Sequence, residues 1–296
     1  MPEGDLRNIG SGAVFMFKVI VVLFLCLLFC QPQRGIEGAR EGLLLWYNVV
    51  LPAQFPFVVG VRLLLKTAPF KKLPPSLLGF MMGLAAGYPV GSMTIAQLYT
   101  QKRISRKNLT PLAAFSNMAG PLFVVGTVGV GLLGSTRWGY CLLLVHWISA
   151  ALFAFFPALR ESRARRGRSN DLIAIRKQSI GRMMGDAVGE TAELMLKVGG
   201  FIVLFSVMRR WMGEAAGALL EMTGGIRWIA GLDLNLKWKL AGCSFLINFS
   251  GICILLQSLE AAGDAPVSTG GFIGCKLLQG VTAAGIMLVI CQFLKM

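Results

Sequence analysis

Polar residues set inside apolar runs are where this chain can do chemistry. Gly87-Tyr88-Pro89-Val90-Gly91-Ser92 interrupts one apolar stretch, Ser116-Asn117-Met118-Ala119-Gly120-Pro121 a second, and Asn248-Phe249-Ser250-Gly251 a third. Glu221-Met222-Thr223-Gly224-Gly225 is a polar, flexible element in moderately apolar surroundings. Glycine and proline break helices and free backbone donors and acceptors. Amides and hydroxyls beside such breaks suit recognition of a polar solute rather than bond cleavage. The candidate substrate contacts are Gly87, Tyr88, Pro89, Gly91, Ser92, Gln97, Asn117, Gly120, Glu221, Thr223, Asn248, Ser250 and Gln257. Each also has a structural reading. The glycines and proline make a turn, Asn117 pins two helices together or contacts solute, and Glu221 and Thr223 cap a helix or bind. Asn248 and Ser250 mirror the first glycine-proline tip.

Ionisable residues inside apolar runs are functional candidates by default, and Glu190, Glu193, Lys197 and Lys276 qualify as charge-coupling groups. Glu193 and Lys197 are four apart and share a helix face. A buried pair of this kind adds little stability after desolvation, so its presence points to proton coupling or gating. Other chemistries are excluded. His146 is the only histidine, and the seven cysteines form no Cys-x-x-Cys pair. That leaves no zinc site and no disulfide framework. With no Ser-His-Asp set and no phosphate-binding loop, the chain has no catalytic residues, no metal and no cofactor, and it is not an enzyme.

These residues must be positioned by membrane helices. The 296 residues are 55% hydrophobic and only 15% charged, against about 25% charged in a soluble domain. Apolar runs near 20 residues match a bilayer crossing. The net charge of +15 suggests nucleic-acid binding only until its placement is seen. The basic residues lie between apolar runs, as the positive-inside rule requires, so the partners are lipid and a small solute rather than nucleic acid.

Spans are expected over residues 13–30, 43–65, 109–133, 140–159, 187–208 and 271–293. Pro52 and Pro56 should kink or interrupt the second. Residues 77–99 lie between two basic clusters, Lys66, Lys71 and Lys72 on one side and Lys102, Arg103, Arg106 and Lys107 on the other. Two crossings need about 40 residues, more than this stretch offers, so it enters and leaves on one side as a re-entrant hairpin. The basic segment from Arg160 to Arg182 reads as a cytoplasmic linker. A second hairpin over residues 240–259, dipping in from outside, leaves the C terminus inside near Lys295.

The fold class is therefore an all-α polytopic membrane protein, with about six transmembrane helices and two re-entrant hairpins arranged as an inverted repeat. An offset of 160 aligns Gly91 with Gly251, Gln97 with Gln257 and Gly120 with Gly280. The organisation is an N-terminal helix and connector (1–42), a first half with its hairpin (43–159), a basic cytoplasmic linker (160–186) and a second half with its hairpin (187–296). The oligomeric state is left open, a homo-oligomer included. One charge imbalance opposes this topology, because Arg209, Arg210, Arg227, Lys237 and Lys239 fall outside against Glu214, Glu221 and Asp233.

Gly87-Tyr88-Pro89-Val90-Gly91, Ile104-Ser105-Arg106-Lys107 and the run from Ala114 to Gly129 together resemble the sporulation integral membrane protein YlbJ (SpoVV) family, part of the wider nucleoside-recognition, or gate, domain group. Gly199-Gly200-Phe201, Glu221-Met222-Thr223-Gly224-Gly225 and Asn248-Phe249-Ser250-Gly251 followed by Gln257 extend the likeness, which covers residues 43–294. The resemblance implies an integral protein of the outer forespore membrane of an endospore-forming bacterium, passing dipicolinic acid from the mother cell toward the spore. A nucleoside-like solute carrier and a non-transporting sporulation scaffold are the alternatives. A dianionic solute needs cations or helix N-termini, for which Lys197 and Lys276 are candidates. Where the family pattern continues Ala-Lys after Tyr-Pro-Val-Gly, this chain has Ser92-Met93, so a lysine at the hairpin tip is absent. The family's Phe-Gly-Gly stands here as Phe249-Ser250-Gly251.

Overall fold

Apolar runs with few charges fold as helices, because a backbone in hydrocarbon must satisfy its own hydrogen bonds. The computed structural model describes residues 11–67, 73–165 and 179–294, and every regular element among them is helical. Lys71, Lys72, Arg166, Arg168, Asp171, Arg176, Lys177 and Lys295 lie outside the described residues. The chain starts with α1 (Ser11–Cys30) and α2 (Pro32–Leu45). A π-helical turn, Trp46–Val50, carries α2 into α3 (Leu51–Thr67). Then come α4 (Pro75–Ala86), α5 (Val90–Thr100), α6 (Arg106–Ser116), a π-helical segment Phe123–Leu132 and α7 (Thr136–Arg165). The second half is α8 (Ile180–Arg209), α9 (Glu214–Leu220), α10 (Met222–Gly231), α11 (Leu236–Phe249), α12 (Gly251–Ala261) and α13 (Thr269–Phe293).

Among the described residues, five stretches are long and apolar enough to cross a membrane: Pro32–Leu64, Thr136–Glu161, Ile180–Arg209, Leu236–Ala261 and Thr269–Phe293. The prolines do not interrupt the first of these. Pro52 clashes with the carbonyl four residues back, which falls in the Trp46–Val50 turn, and the wider π turn takes up the misfit. α4 and α5, 12 and 11 residues long, pack against each other. At 1.5 Å per residue, neither arm exceeds about 18 Å, so the pair is a re-entrant hairpin, as the basic flanks require.

The helix packing is reciprocal. α2 and α3 pack on α8, α4 packs on α5 as α9 packs on α10, α6 meets α13 as α7 meets α11, and α7 and α13 meet each other. Two repeats follow from this: α2–α3, the α4–α5 hairpin, α6 with the Phe123–Leu132 segment, and α7; then α8, the α9–α10 hairpin, α11–α12, and α13. Each repeat crosses three times around one hairpin. Three is odd, so the second repeat begins on the opposite side and the repeats are inverted.

This register differs from the sequence expectation in two ways. Residues 240–259 are not a hairpin. α11 runs along α13 while α12 leaves it for α5, α8 and α9, and the second hairpin is α9–α10. The correspondence is accordingly not the offset of 160. Asn117-Met118-Ala119-Gly120 matches Asn248-Phe249-Ser250-Gly251, each closing one helix and opening the next.

The C terminus moves with this correction. Glu161 near the end of α7 accepts from Ser105 N, Ser105 Oγ and Asn108 Nδ2 at the start of α6, at 3.1, 2.7 and 2.8 Å. Ser268 N, just before α13, donates to Thr110 Oγ1 at 3.0 Å. The end of α12 therefore shares the linker face, and α13 runs away from it to end near Leu236 and Trp138. The basic residues at that far end are balanced by α2, since Glu41 pairs with Arg209 at 2.9 Å, Arg210 at 3.2 Å and Arg227 at 3.8 Å.

Single cysteines introduced at the exposed Lys102 and Asp264 should react with an impermeant thiol reagent from the same side of the membrane, and one at Asp233 from the other. Reaction of Asp264 and Asp233 positions from a common side would restore the α11–α12 hairpin and overturn the register described here.

Candidate functional site

The two breaks meet at the centre of the fold. α4 ends at Gly87, whose φ of +79° favours glycine, and this residue abuts the backbone of Gly120. Gly83 and Gly91 both close on the Ser116 carbonyl, where a Cβ on either would lie 1.8 Å from its oxygen. The hairpin tip is thus clamped onto the end of α6. In the second repeat, Ser250 and Gly251 take φ of 79° and 74° and end α11 abruptly before α12 starts.

A restarted helix exposes N–H groups with no intrahelical partner and the positive end of its dipole. Gly120 and Phe123 at one restart, and Cys253 and Ile254 at the other, line the same cavity of about 40 Å³. Tyr88, Glu221, Thr223, Gln257 and Gln54 complete its polar wall. Tyr88 lies just before α5, and Glu221 and Thr223 start α10. Four helix starts from both repeats therefore converge on one small space. The π-helical segments Trp46–Val50 and Phe123–Leu132 touch each other and contribute Val50 and Phe123 to its wall; such segments recur at functional sites.

Behind the cavity lies a fully buried polar network. His146 on α7 accepts from Ala119 N at Nε2 (2.9 Å). A backbone N–H can only donate, so the imidazole proton sits on Nδ1 and goes to Asn248 Oδ1, 2.8 Å away. Gln279 Nε2 donates to the same Oδ1 at 3.1 Å, while Asn248 Nδ2 donates to Ser244 O at 2.8 Å. Lys276 Nζ donates to Gln279 Oε1 and to Asn117 O, both at 2.9 Å. Asn117 closes α6, so the ammonium caps the negative end of that helix. Ser258 Oγ lies 2.9 Å from Asn117 Oδ1, and Asn117 Nδ2 has no partner although it is buried.

The structure brings together most of the residues singled out by sequence. Tyr88, Gly120, Glu221, Thr223 and Gln257 line the cavity. The Tyr88 hydroxyl is taken up by Ile247 O at 2.6 Å and by Ser250 Oγ at 3.0 Å, which leaves its ring toward the cavity. Glu221 caps α10 by accepting from Thr223 N at 2.8 Å and Gly224 N at 2.6 Å. Its negative charge is therefore set against the positive end of its own helix. Gly87, Pro89, Gly91 and Ser92 form the clamped tip, and Ser92 Oγ donates to Pro89 O at 2.8 Å. Asn117, Asn248 and Ser250 hold the breaks from behind. Gln97 is exposed on α5, away from the cavity.

The charged candidates separate. Lys276 is buried at the centre, whereas Glu193 and Lys197 are not the buried pair expected. Their side chains are 72% and 48% exposed, and Lys197 lies nearer to Glu260, at 3.0 Å, than to Glu193, at 3.5 Å. Glu190 pairs with Arg62 of α3. Sequence reasoning set aside His146 as a lone histidine and passed over Gln54, Ser149, Ser258 and Gln279. Their signal was position: His146 and Ser149 lie three apart on one face of α7, and Lys276 and Gln279 three apart on α13.

The two equivalent asparagines should respond differently to loss of their amides. Asn248→Leu strands the donors of His146 and Gln279 and should destabilise by on the order of 3 kcal/mol. Asn117→Leu forfeits one bond, from Ser258, and should cost about 1 kcal/mol. Melting of the purified variants measures both, and equal losses would contradict the assigned network.

No family model matches the chain, and no solved structure matches it. Sporulation integral membrane protein YlbJ of Bacillus subtilis (strain 168) is 27% identical to it, over 98% of this chain and 84% of that protein. The chain is an all-α polytopic membrane protein similar along nearly its whole length to sporulation integral membrane protein YlbJ, which supports the family resemblance drawn from its motifs.

Proposed function

We propose that the chain is a membrane transporter of a small polar or anionic solute, and that the solute is dipicolinic acid, moved from the mother cell across the outer forespore membrane. The observation that carries this reading is the convergence of helix starts from both inverted repeats on one central cavity. Inverted repeats with discontinuous helices meeting near the midplane recur in secondary transporters, and half-helix N-termini there face anionic groups. Glu221 does not oppose an anion as a free carboxylate would, because both its oxygens already accept from the start of α10. A non-transporting scaffold has no need of breaks that place Gln54, Gln257 and Asn117 among apolar helices. The space of about 40 Å³ holds only a few water molecules. This conformation is thus closed around its centre, and an aromatic diacid enters only when the repeats move apart.

Purified protein in liposomes should accumulate labelled dipicolinate saturably, with unlabelled uridine failing to compete. Uridine uptake instead would favour the nucleoside-like carrier, and flux equal to that of protein-free vesicles for both solutes would leave the scaffold reading.

A further inference from the structure

We infer that His146 and Lys276 are positioning residues that tie the two helix breaks into one mechanical unit. The hydrogen bonds described above form a closed ring. From Ala119 N the path runs through His146 to Asn248 Oδ1, from there through Gln279 to Lys276, and back to Asn117 O, two residues from where it began. The break of the first repeat is gripped at both its N–H and its carbonyl. The break of the second is gripped by the single oxygen that receives both arms. All five side chains of the two breaks and the two bracing helices, Asn117, His146, Asn248, Lys276 and Gln279, are fully buried.

Three features make this a coupling device rather than separate caps. The bracing groups come from α7 and α13, the last helix of each repeat, so each repeat holds the other's break as well as contacting its neighbour. Asn248 Oδ1 has two lone pairs and three donors in reach, His146 Nδ1 and Ser149 Oγ at 2.8 Å and Gln279 Nε2 at 3.1 Å, with His146 O at 2.9 Å as the second acceptor for the Ser149 hydroxyl. Moving either arm therefore changes the other's partner. Finally, no carboxylate pairs with Lys276 among the described residues; its donors go to a helix end and an amide. Its charge is committed to the break and not to a salt bridge. A displacement of Asn117–Gly120 on one side of the cavity is thus passed to Asn248–Gly251 on the other. This deepens the transport reading, on which its biological meaning rests, but its physical test needs no solute.

The native Cys253 provides the probe. It lies in the first turn of α12, lines the cavity and is buried, and its Sγ accepts from Gln257 Nε2 at 3.1 Å rather than from a member of the ring. In full-length protein keeping Cys253 as its one cysteine, the rate of modification by N-ethylmaleimide in liposomes is compared before and after Lys276→Met. Lys276 hydrogen-bonds to the first break and to Gln279, yet the substitution should accelerate modification in the second about tenfold or more, the scale set by one lost buried hydrogen bond. Protein keeping only Cys243, buried in α11 away from the cavity wall, should hold its rate. If Lys276→Met does not fold, Lys276→Gln keeps a polar group but is too short to reach Asn117 O, leaves the Gln279 bond to Asn248 untouched, and the same comparison applies. An unchanged rate at Cys253 would show two independently held breaks and overturn the inference. Equal acceleration at Cys243 would mean general loosening and overturn it as well. Absence of dipicolinate transport with the expected labelling would count against the transport reading alone.

Discussion

Backbone groups freed inside hydrocarbon have to find partners within the protein. The two breaks, at Asn117–Gly120 and Asn248–Gly251, free such groups at the centre of this fold, and the rest of the architecture is arranged around satisfying them. Carbonyl ends are closed by Lys276 on one side and Tyr88 on the other. Of the N–H ends, one is taken by His146, and the helix starts at Gly120 and Phe123 and at Cys253 and Ile254 line the cavity. One carbonyl at each break is thus paired by a side chain, while the positive helix starts line the cavity. On the transport reading proposed above, that asymmetry favours an acceptor-rich or anionic solute.

Much of this was legible in the sequence because glycine, proline and isolated amides inside apolar runs serve mainly to break a helix or to meet a polar partner. The breaks at Asn117 and Asn248, the first hairpin and the basic flanks all follow from local chemistry. The register of the repeat did not. The apolar run at residues 240–259 is short and carries a break, so it resembles the first hairpin in hydropathy. The true second hairpin, α9–α10, hides behind Glu214, Arg227 and a moderately polar composition. Only packing separates the two, through the contacts of α11 with α13 and of Ser268 with Thr110. His146 was missed for a related reason. A lone histidine excludes a zinc site, but its value as a two-ended hydrogen-bonding brace depends on what faces each ring nitrogen.

Charge is distributed according to depth. Lys276, at the centre, has its positive charge spent on a helix end. Glu190, Glu193, Lys197 and Glu260 instead form exposed or half-exposed pairs, where the Coulomb gain is small. Lys197 adjoins Val198 and Glu260 lies one turn beyond Gln257, and both of those neighbours line the cavity. The Lys197–Glu260 pair therefore bridges α8 and α12 at the rim. The arginines around Glu41 join α2, α8 and α10 at the far end. Ion pairs thus lie at each rim, and neutral amides, hydroxyls and an imidazole surround Lys276 at the centre.

On the proposed reading, the helix starts converging on the cavity favour a negatively charged solute. Binding of dipicolinate to purified protein, compared with its neutral dimethyl ester by titration calorimetry at neutral pH, tests this most directly. The two share a ring and nearly a shape, and differ in charge. Loss of charge-assisted hydrogen bonds to backbone donors should weaken the ester about tenfold or more. Equal affinity for both, or preference for the ester, would contradict the account.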